Sequence, residues 1–213
     1  MKVAIAGGHG QIALRLTKLL SERGDEVISL IRNPDHADDV RGAGGEPRVC
    51  DLESTSEDEV ARAIEGTDAV VFAAGAGPGS GSERKETMDY GGAAKLIAAA
   101  KASGISRYLM VSSMGADPER EGDDTFAVYL RAKGKADADL QASGLDYTII
   151  RPGRLTDEPG TGRVQLAERV PRADVTRDDV ASVFAAALRE PGTVGRTLGL
   201  VGGDTPIEEA VRG

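Results

Sequence analysis

Along the chain, short runs of apolar residues alternate with longer stretches in which apolar positions recur every three or four residues. The runs are continuous rather than alternating, which is the pattern of strands covered on both faces, as in a parallel sheet. Six are predicted as strands: Lys2 to Ala6, Glu26 to Ile31, Pro47 to Cys50, Asp68 to Ala73, Arg107 to Val111 and Asp146 to Ile150. Weaker candidates lie near Arg163 to Val170 and Thr197 to Val201. Helices fill the gaps. Ile12, Leu16, Leu19 and Leu20 recur at helical spacing, and Gly24 follows where a left-handed C-cap residue goes. Ser56, three residues before Glu59, forms a capping box ahead of Val60, Ala63 and Ile64. Longer helices are predicted from Arg84 to Ser103 and from Thr125 to Ser143, each stopping at the glycine of an Ala-Ser-Gly triplet. Thr176 and Asp179 repeat the cap spacing before Val180, Val183, Phe184 and Leu188, an apolar stripe that reads as core packing. Strands alternating with helices predict a doubly wound α/β sheet, mainly parallel, with helices on both faces and ligands at the carboxyl ends of the strands.

Composition narrows this picture. The 213 residues suit one domain, with those from position 151 onward supplying a small lid over the site. Only 3% of residues are aromatic and none is Trp, so the core is aliphatic. A formal charge of −9, with no basic run to offset it, argues against nucleic-acid binding. Cys50 is the one cysteine, which excludes an internal disulfide and a thiolate metal cluster and fits a reducing, cytoplasmic location. The apolar start "MKVAIAGG" is shorter than a signal-peptide core, and no segment approaches the roughly 20 apolar residues that span a bilayer. His9 and His36 are the two histidines, and neither stands at metal-ligand spacing from a second ligand, so no metal site is expected. The stretches "GAGPGSGS", Gly75 to Ser82, and "TDEPGTG", Thr156 to Gly162, read as mobile site loops rather than domain boundaries. The surface is compatible with a monomer or a homodimer.

The chemistry begins at "VAIAGGHGQIA". Gly7, Gly10 and Ala13 form G-x-x-G-x-x-A between a predicted strand and a predicted helix, the context that raises a glycine motif above chance. Gly7 permits the tight turn, Gly10 lets backbone approach a pyrophosphate, and Ala13 is small enough for close helix packing. The helix N-terminus adds unpaired N–H groups that favour an anion. In a unit that binds NAD the second strand ends in Asp or Glu, which accepts from the ribose hydroxyls. Here it ends in Arg32, whose guanidinium pairs with a 2′-phosphate, so NADP is expected over NAD. Asp35, three residues on, is the alternative contact to a ribose.

With these residues the chain resembles an atypical short-chain dehydrogenase/reductase, of the small NAD(P)-binding Rossmann group labelled NAD(P)H-binding or NAD-dependent epimerase/dehydratase. The segments "GGHGQIA", "CDLES", "AVVFAAG", "TMDYGGAAKLIAAAKASGISRYLMVSSMGAD", "YLRAKGKAD", "SGLDYTIIRPGRLTD" and "GGDTPIEEAV" fall in family order and cover essentially the whole chain. The resemblance implies that Gly7, His9, Gly10, Gln11 and Ile12 line the pyrophosphate loop and that Arg32 meets the 2′-phosphate. It further implies that Asp51 and Leu52 flank the adenine, and that Ala73, Ala74 and Gly75 lie along the ribose. Pro152 and Gly153 fall near the nicotinamide, and Lys133 binds its ribose hydroxyls. Ser113, Tyr129 and Lys133 are the catalytic candidates. Tyr129 and Lys133 stand four apart on one helix face, where an ammonium could lower the phenol's pKa for proton exchange with a carbonyl or alcohol. Ser113 would hydrogen-bond the same oxygen, with Ser112 as its competitor. Where the larger family places an Asn in its proton relay, this chain has Asp89.

Two functions follow as expectations. The first is an NADP-dependent oxidoreductase acting on a small carbonyl, quinone or flavin-like acceptor. The second is a non-enzymatic NADP(H)-binding sensor or scaffold. A sugar epimerase or dehydratase fits less well, because only a short stretch follows Ile150.

Overall fold

The computed structural model describes residues 1–77 and 79–213. The chain runs β1 (Lys2–Ala6), α1 (Gln11–Glu22), β2 (Glu26–Ile31), α2 (Ala37–Gly42), β3 (Glu46–Val49), α3 (Glu57–Ile64) and β4 (Ala69–Phe72). It continues with α4 (Ser82–Arg84), a π-wound stretch (Lys85–Gly92), α5 (Ala93–Ala102), β5 (Arg107–Val111), α6 (Thr125–Ala142) and β6 (Asp146–Pro152). The last part holds β7 (Arg154–Thr156), β8 (Arg163–Ala167), β9 (Asp174–Thr176), α7 (Arg177–Ala187), β10 (Arg196–Gly202), β11 (Thr205–Pro206) and α8 (Ile207–Ala210).

One sheet has the order β11-β8-β10-β6-β5-β4-β1-β2-β3, and β7 pairs with β9 beside it. From β3 to β10 every pairing is parallel, while β8 runs antiparallel to β10 and to β11. The fold is therefore the expected mainly parallel, doubly wound sheet. Strand order reverses between β1 and β4, so their carboxyl ends open a crevice there.

Side-chain alternation explains the two-sided core. Ala4, Ala6, Val70 and Phe72 point to the face covered by α3, α5 and α6. Val3, Ile5, Ala69 and Val71 point to the opposite face, under α1 and α7. The predicted caps are present. Ser56 and Glu59 form the reciprocal box on α3, and the Thr176 hydroxyl accepts from the Asp179 amide on α7. Each such cap stabilises its helix by about 1 kcal/mol.

Several boundaries differ from the sequence reading. β6 continues to Pro152 because β10 pairs with it through Leu200, and β8 stops at Ala167. The helix expected from Arg84 onward opens at Ser82 and is π-wound before α5. The loop from Thr156 to Gly162 is anchored rather than loose. Asp178 accepts from the Gly160 amide, and the buried Asp179 carboxylate accepts from the amides of Thr161 and Gly162. Among the described residues, no helix is long and apolar enough to cross a membrane.

Candidate cofactor and acceptor site

The glycine loop joins β1 to α1 at the crevice. Gly7 has φ +77°, and a Cβ there would lie 2.6 Å from the Cα of Ala74, so the turn admits only glycine. The Gly10 amide donates to the Gly7 carbonyl at 2.7 Å, closing the loop. α1 begins at Gly10 with no side-chain cap and no acidic residue in its first turn. Three other long helices, α3, α6 and α7, are by contrast capped by Ser56, Asp124 and Thr176. The first amides of α1 are thus left for an anion, and the cradle fits a dinucleotide pyrophosphate.

Beyond the glycine loop, at the end of β2, the fold brings charges together from distant positions. Arg32, 56% exposed at the end of β2, approaches Glu53 at 3.6 Å. Glu53 is already held by the Arg84 guanidinium at 3.1 Å and the Thr87 hydroxyl at 2.7 Å. Burial alone would raise the Glu53 pKa, but these bonds and the two arginines hold it below the ordinary carboxylate value. Two guanidinium groups therefore share one carboxylate, and positive charge remains for a phosphate. Asp51 accepts from the Glu53 amide and fixes the turn after β3, whereas Leu52 is buried in the core beneath the π-wound stretch. His9 stacks on His36 with centroids 3.6 Å apart and hydrogen-bonds with Asp39 at 2.7 Å.

A cavity of about 810 Å³ lies over the carboxyl ends of β4, β5 and β6. Ile12, Ala73, Ala74, Gly75, Asp89, Ser113, Tyr129, Lys133, Pro152 and Gly153 line it, so the structure unites these expected residues. Gly7, His9, Gly10, Gln11, Arg32, Asp51 and Leu52 stand outside its lining. Lys133 Nζ lies 3.4 Å from Asp89 Oδ1, with the side chains 4% and 1% exposed. The ammonium also donates to the carbonyls of Val111, at 3.2 Å, and Ala74, at 3.5 Å. Asp89 Oδ2 accepts from the Ala76 amide, tying the loop after β4 to the same pair. Among the described residues Lys133 has no hydrogen bond to Tyr129; its charge is committed to Asp89 instead.

The choice between the two serines is clear in the geometry. The buried Ser112 hydroxyl donates to Asp137 Oδ2 at 2.8 Å, and Arg151 Nε donates to the same oxygen. Burial pushes the Asp137 carboxyl up against the opposing pull of Arg151 and Ser112. Ser113 makes only a long contact, 3.4 Å, with the Met114 carbonyl, and so retains hydrogen-bonding capacity toward the cavity. Gly153 has a packing role as well, since a Cβ there would lie 2.1 Å from the Ala173 carbonyl.

Residues 7–191 match the model of the NAD(P)H-binding family. The chain belongs to that family. A Bacillus subtilis relative called the uncharacterized sugar epimerase YhfK is 42% identical over 213 residues, 100% of this chain and 99% of its own. A solved Bacillus halodurans structure assigned to NAD-dependent epimerase/dehydratases has a TM-score of 0.92 at 38% identity, covering 99% of this chain and 98% of that one. The anaerobilin reductase ChuY of Escherichia coli O157:H7 has a TM-score of 0.80 at 25% identity, covering 96% and 98%. This NAD(P)H-binding chain thus carries the Rossmann fold of a family with epimerase/dehydratase-like and oxidoreductase members.

The sequence reading missed Lys85, Thr125 and Phe126, which line the cavity, and Glu53, Arg84 and His36, which contact Arg32, Glu53 and His9. Lys85 stood in the polar string "SERKETMDY", where no apolar period marked one face. The loop after β4 is a site loop as expected: Gly75, Gly77, Gly79, Ser80 and Gly81 line the cavity.

Proposed function

We propose that this protein is an NADP-dependent oxidoreductase that reduces a small carbonyl, quinone or flavin-like acceptor. The carrying observation is the cavity at the ends of β4 to β6, where Ser113, Tyr129 and the Asp89–Lys133 pair stand together beside an uncapped glycine-loop helix. A bound nicotinamide supplies a hydride. The chain's residues do the rest. The α1 amides hold the pyrophosphate, Arg32 takes the 2′-phosphate, and Lys133, fixed by Asp89, faces the nicotinamide ribose. Ser113 holds the acceptor oxygen, and the Tyr129 phenol delivers the proton that this oxygen needs as the carbonyl carbon is reduced. The protein is expected to work in the cytoplasm as a monomer or homodimer.

A sensor reading draws support from one observation, the commitment of the Lys133 ammonium to Asp89 rather than to Tyr129. The two readings separate in one experiment. Purified protein is given NADPH and a panel of quinones, flavins and small carbonyls, and oxidation is followed at the nicotinamide absorbance. A reductase consumes NADPH with some acceptor, and Tyr129→Phe slows it at least about tenfold. Binding of both redox forms without turnover across the panel would establish the sensor.

A further inference from the structure

The cavity holds a second buried lysine. Lys85 is 9% exposed, and its ammonium donates to the Gly77 carbonyl at 2.9 Å. It lies 5.3 Å from the centroid of the Tyr129 ring. Lys133 has Asp89 as counter-ion, but among the described residues no carboxylate lies within ion-pair distance of Lys85. A buried cation without a carboxylate is costly, and an anion entering the cavity would offset that cost.

A second feature adjoins it. Phe126 stacks on Tyr129 with centroids 6.1 Å apart and planes inclined by 27°. Phe126 is 62% exposed although it lines the cavity, so an aromatic surface stands uncovered against the same Tyr129 ring that the ammonium approaches. The chain has only three Phe and four Tyr, and two of these seven rings meet here. Such a pair covers the face of a flat conjugated molecule.

We propose that the molecule bound here is a planar conjugated compound bearing a carboxylate or sulfonate, its ring against Phe126 and Tyr129 and its anion on Lys85. That this compound is the hydride acceptor rests on the reductase reading above; the anion site itself does not. Because the ammonium lies close to the Tyr129 ring, the charge sits on or near the ring system rather than at the end of a long chain.

The test is calorimetric titration of the NADP-saturated protein with 2-naphthoate and with 2-naphthamide, a pair alike in shape and different in charge. Neither compound needs to be reduced. Naphthoate is expected to bind at least about tenfold more tightly, and Lys85→Met to remove the difference while Lys85→Arg keeps it. Phe126→Ala weakens both ligands alike. Equal affinities in the wild type, or a preference that survives Lys85→Met, would overturn the assignment. If Lys85→Met does not fold, acetylation of the wild type mapped by mass spectrometry decides instead: naphthoate must slow modification of Lys85 and leave the exposed lysines unaffected, and an unchanged Lys85 rate refutes the site. Naphthoate preference without NADPH consumption by any acceptor would refute the reductase reading alone.

Discussion

Lys133 and Asp89 form an ion pair that is almost wholly closed to solvent, joining α6 to the π-wound stretch beneath the ends of β4 and β5. Removing one partner leaves the other charge buried. Asp89→Ala is therefore expected to cost about 3–5 kcal/mol in urea unfolding. Asp89→Asn, which keeps an acceptor for the Ala76 amide, should cost less. Equal losses in the two variants would assign the effect to the charge and not to the amide contact.

Arg32 should determine the choice of cofactor. Arg32→Ala is expected to weaken NADPH about tenfold or more and leave NADH nearly unchanged, as read by fluorescence titration. Glu53→Gln should act in the opposite sense, because it frees both Arg32 and Arg84 for the phosphate. An NADPH-to-NADH ratio indifferent to Arg32 would move the phosphate elsewhere.

Two left-handed glycines separate conformational strain from steric exclusion. Gly24 has φ +85° with nothing within 4 Å of an added Cβ, so Gly24→Ala should cost only about 1 kcal/mol. Gly7→Ala must also displace the Ala74 backbone, and should cost more than about 2 kcal/mol and abolish dinucleotide binding. Comparable unfolding midpoints for the two variants would contradict this.

Acid sensitivity should come in part from Asp25. Burial alone would raise its pKa, but hydrogen bonds from the Met1 amine, Arg23 and Arg189 overrule that and hold it at about 2, against an ordinary 3.8. A depressed carboxylate pKa stabilises the fold above the unfolded-state value, and the contribution disappears as pH falls from 3.8 through about 2. Asp25→Asn should thus lose about 2 kcal/mol at pH 7, with the deficit shrinking across that acid range. A deficit constant with pH would rule out the charge as its source.

The sheet was legible because its central strands, buried on both faces, read as unbroken apolar runs; β1, β2 and β5 fall on their predicted bounds. The caps were legible because they depend on spacing along the chain alone. β7, β9 and β11 were not, since strands of two or three residues carry no period. The glycine loop and Arg32 follow from a local motif. Glu53 and Arg84 reach Arg32 only through the fold, and the stack of His9 on His36 joins two loops that no sequence period relates. The spacing of Tyr129 and Lys133 put both on one helix face, and both line the cavity, yet it gave no sign that the ammonium turns to Asp89.

The π-wound stretch has a consequence for insertions and deletions. Each hydrogen-bonded ring there spans one more residue than in an α-helix, and Lys85, Met88 and Asp89 are all turned inward by that winding. Losing one residue between Lys85 and Asp89 would restore α-helical phase and rotate the upstream turn by about 100° relative to α5. Asp89 would keep Lys133 while Lys85 swung out toward solvent. A single codon could then remove Lys85 from the cavity and spare the glycine loop, so what this cavity presents depends on helical phase as much as on side-chain identity.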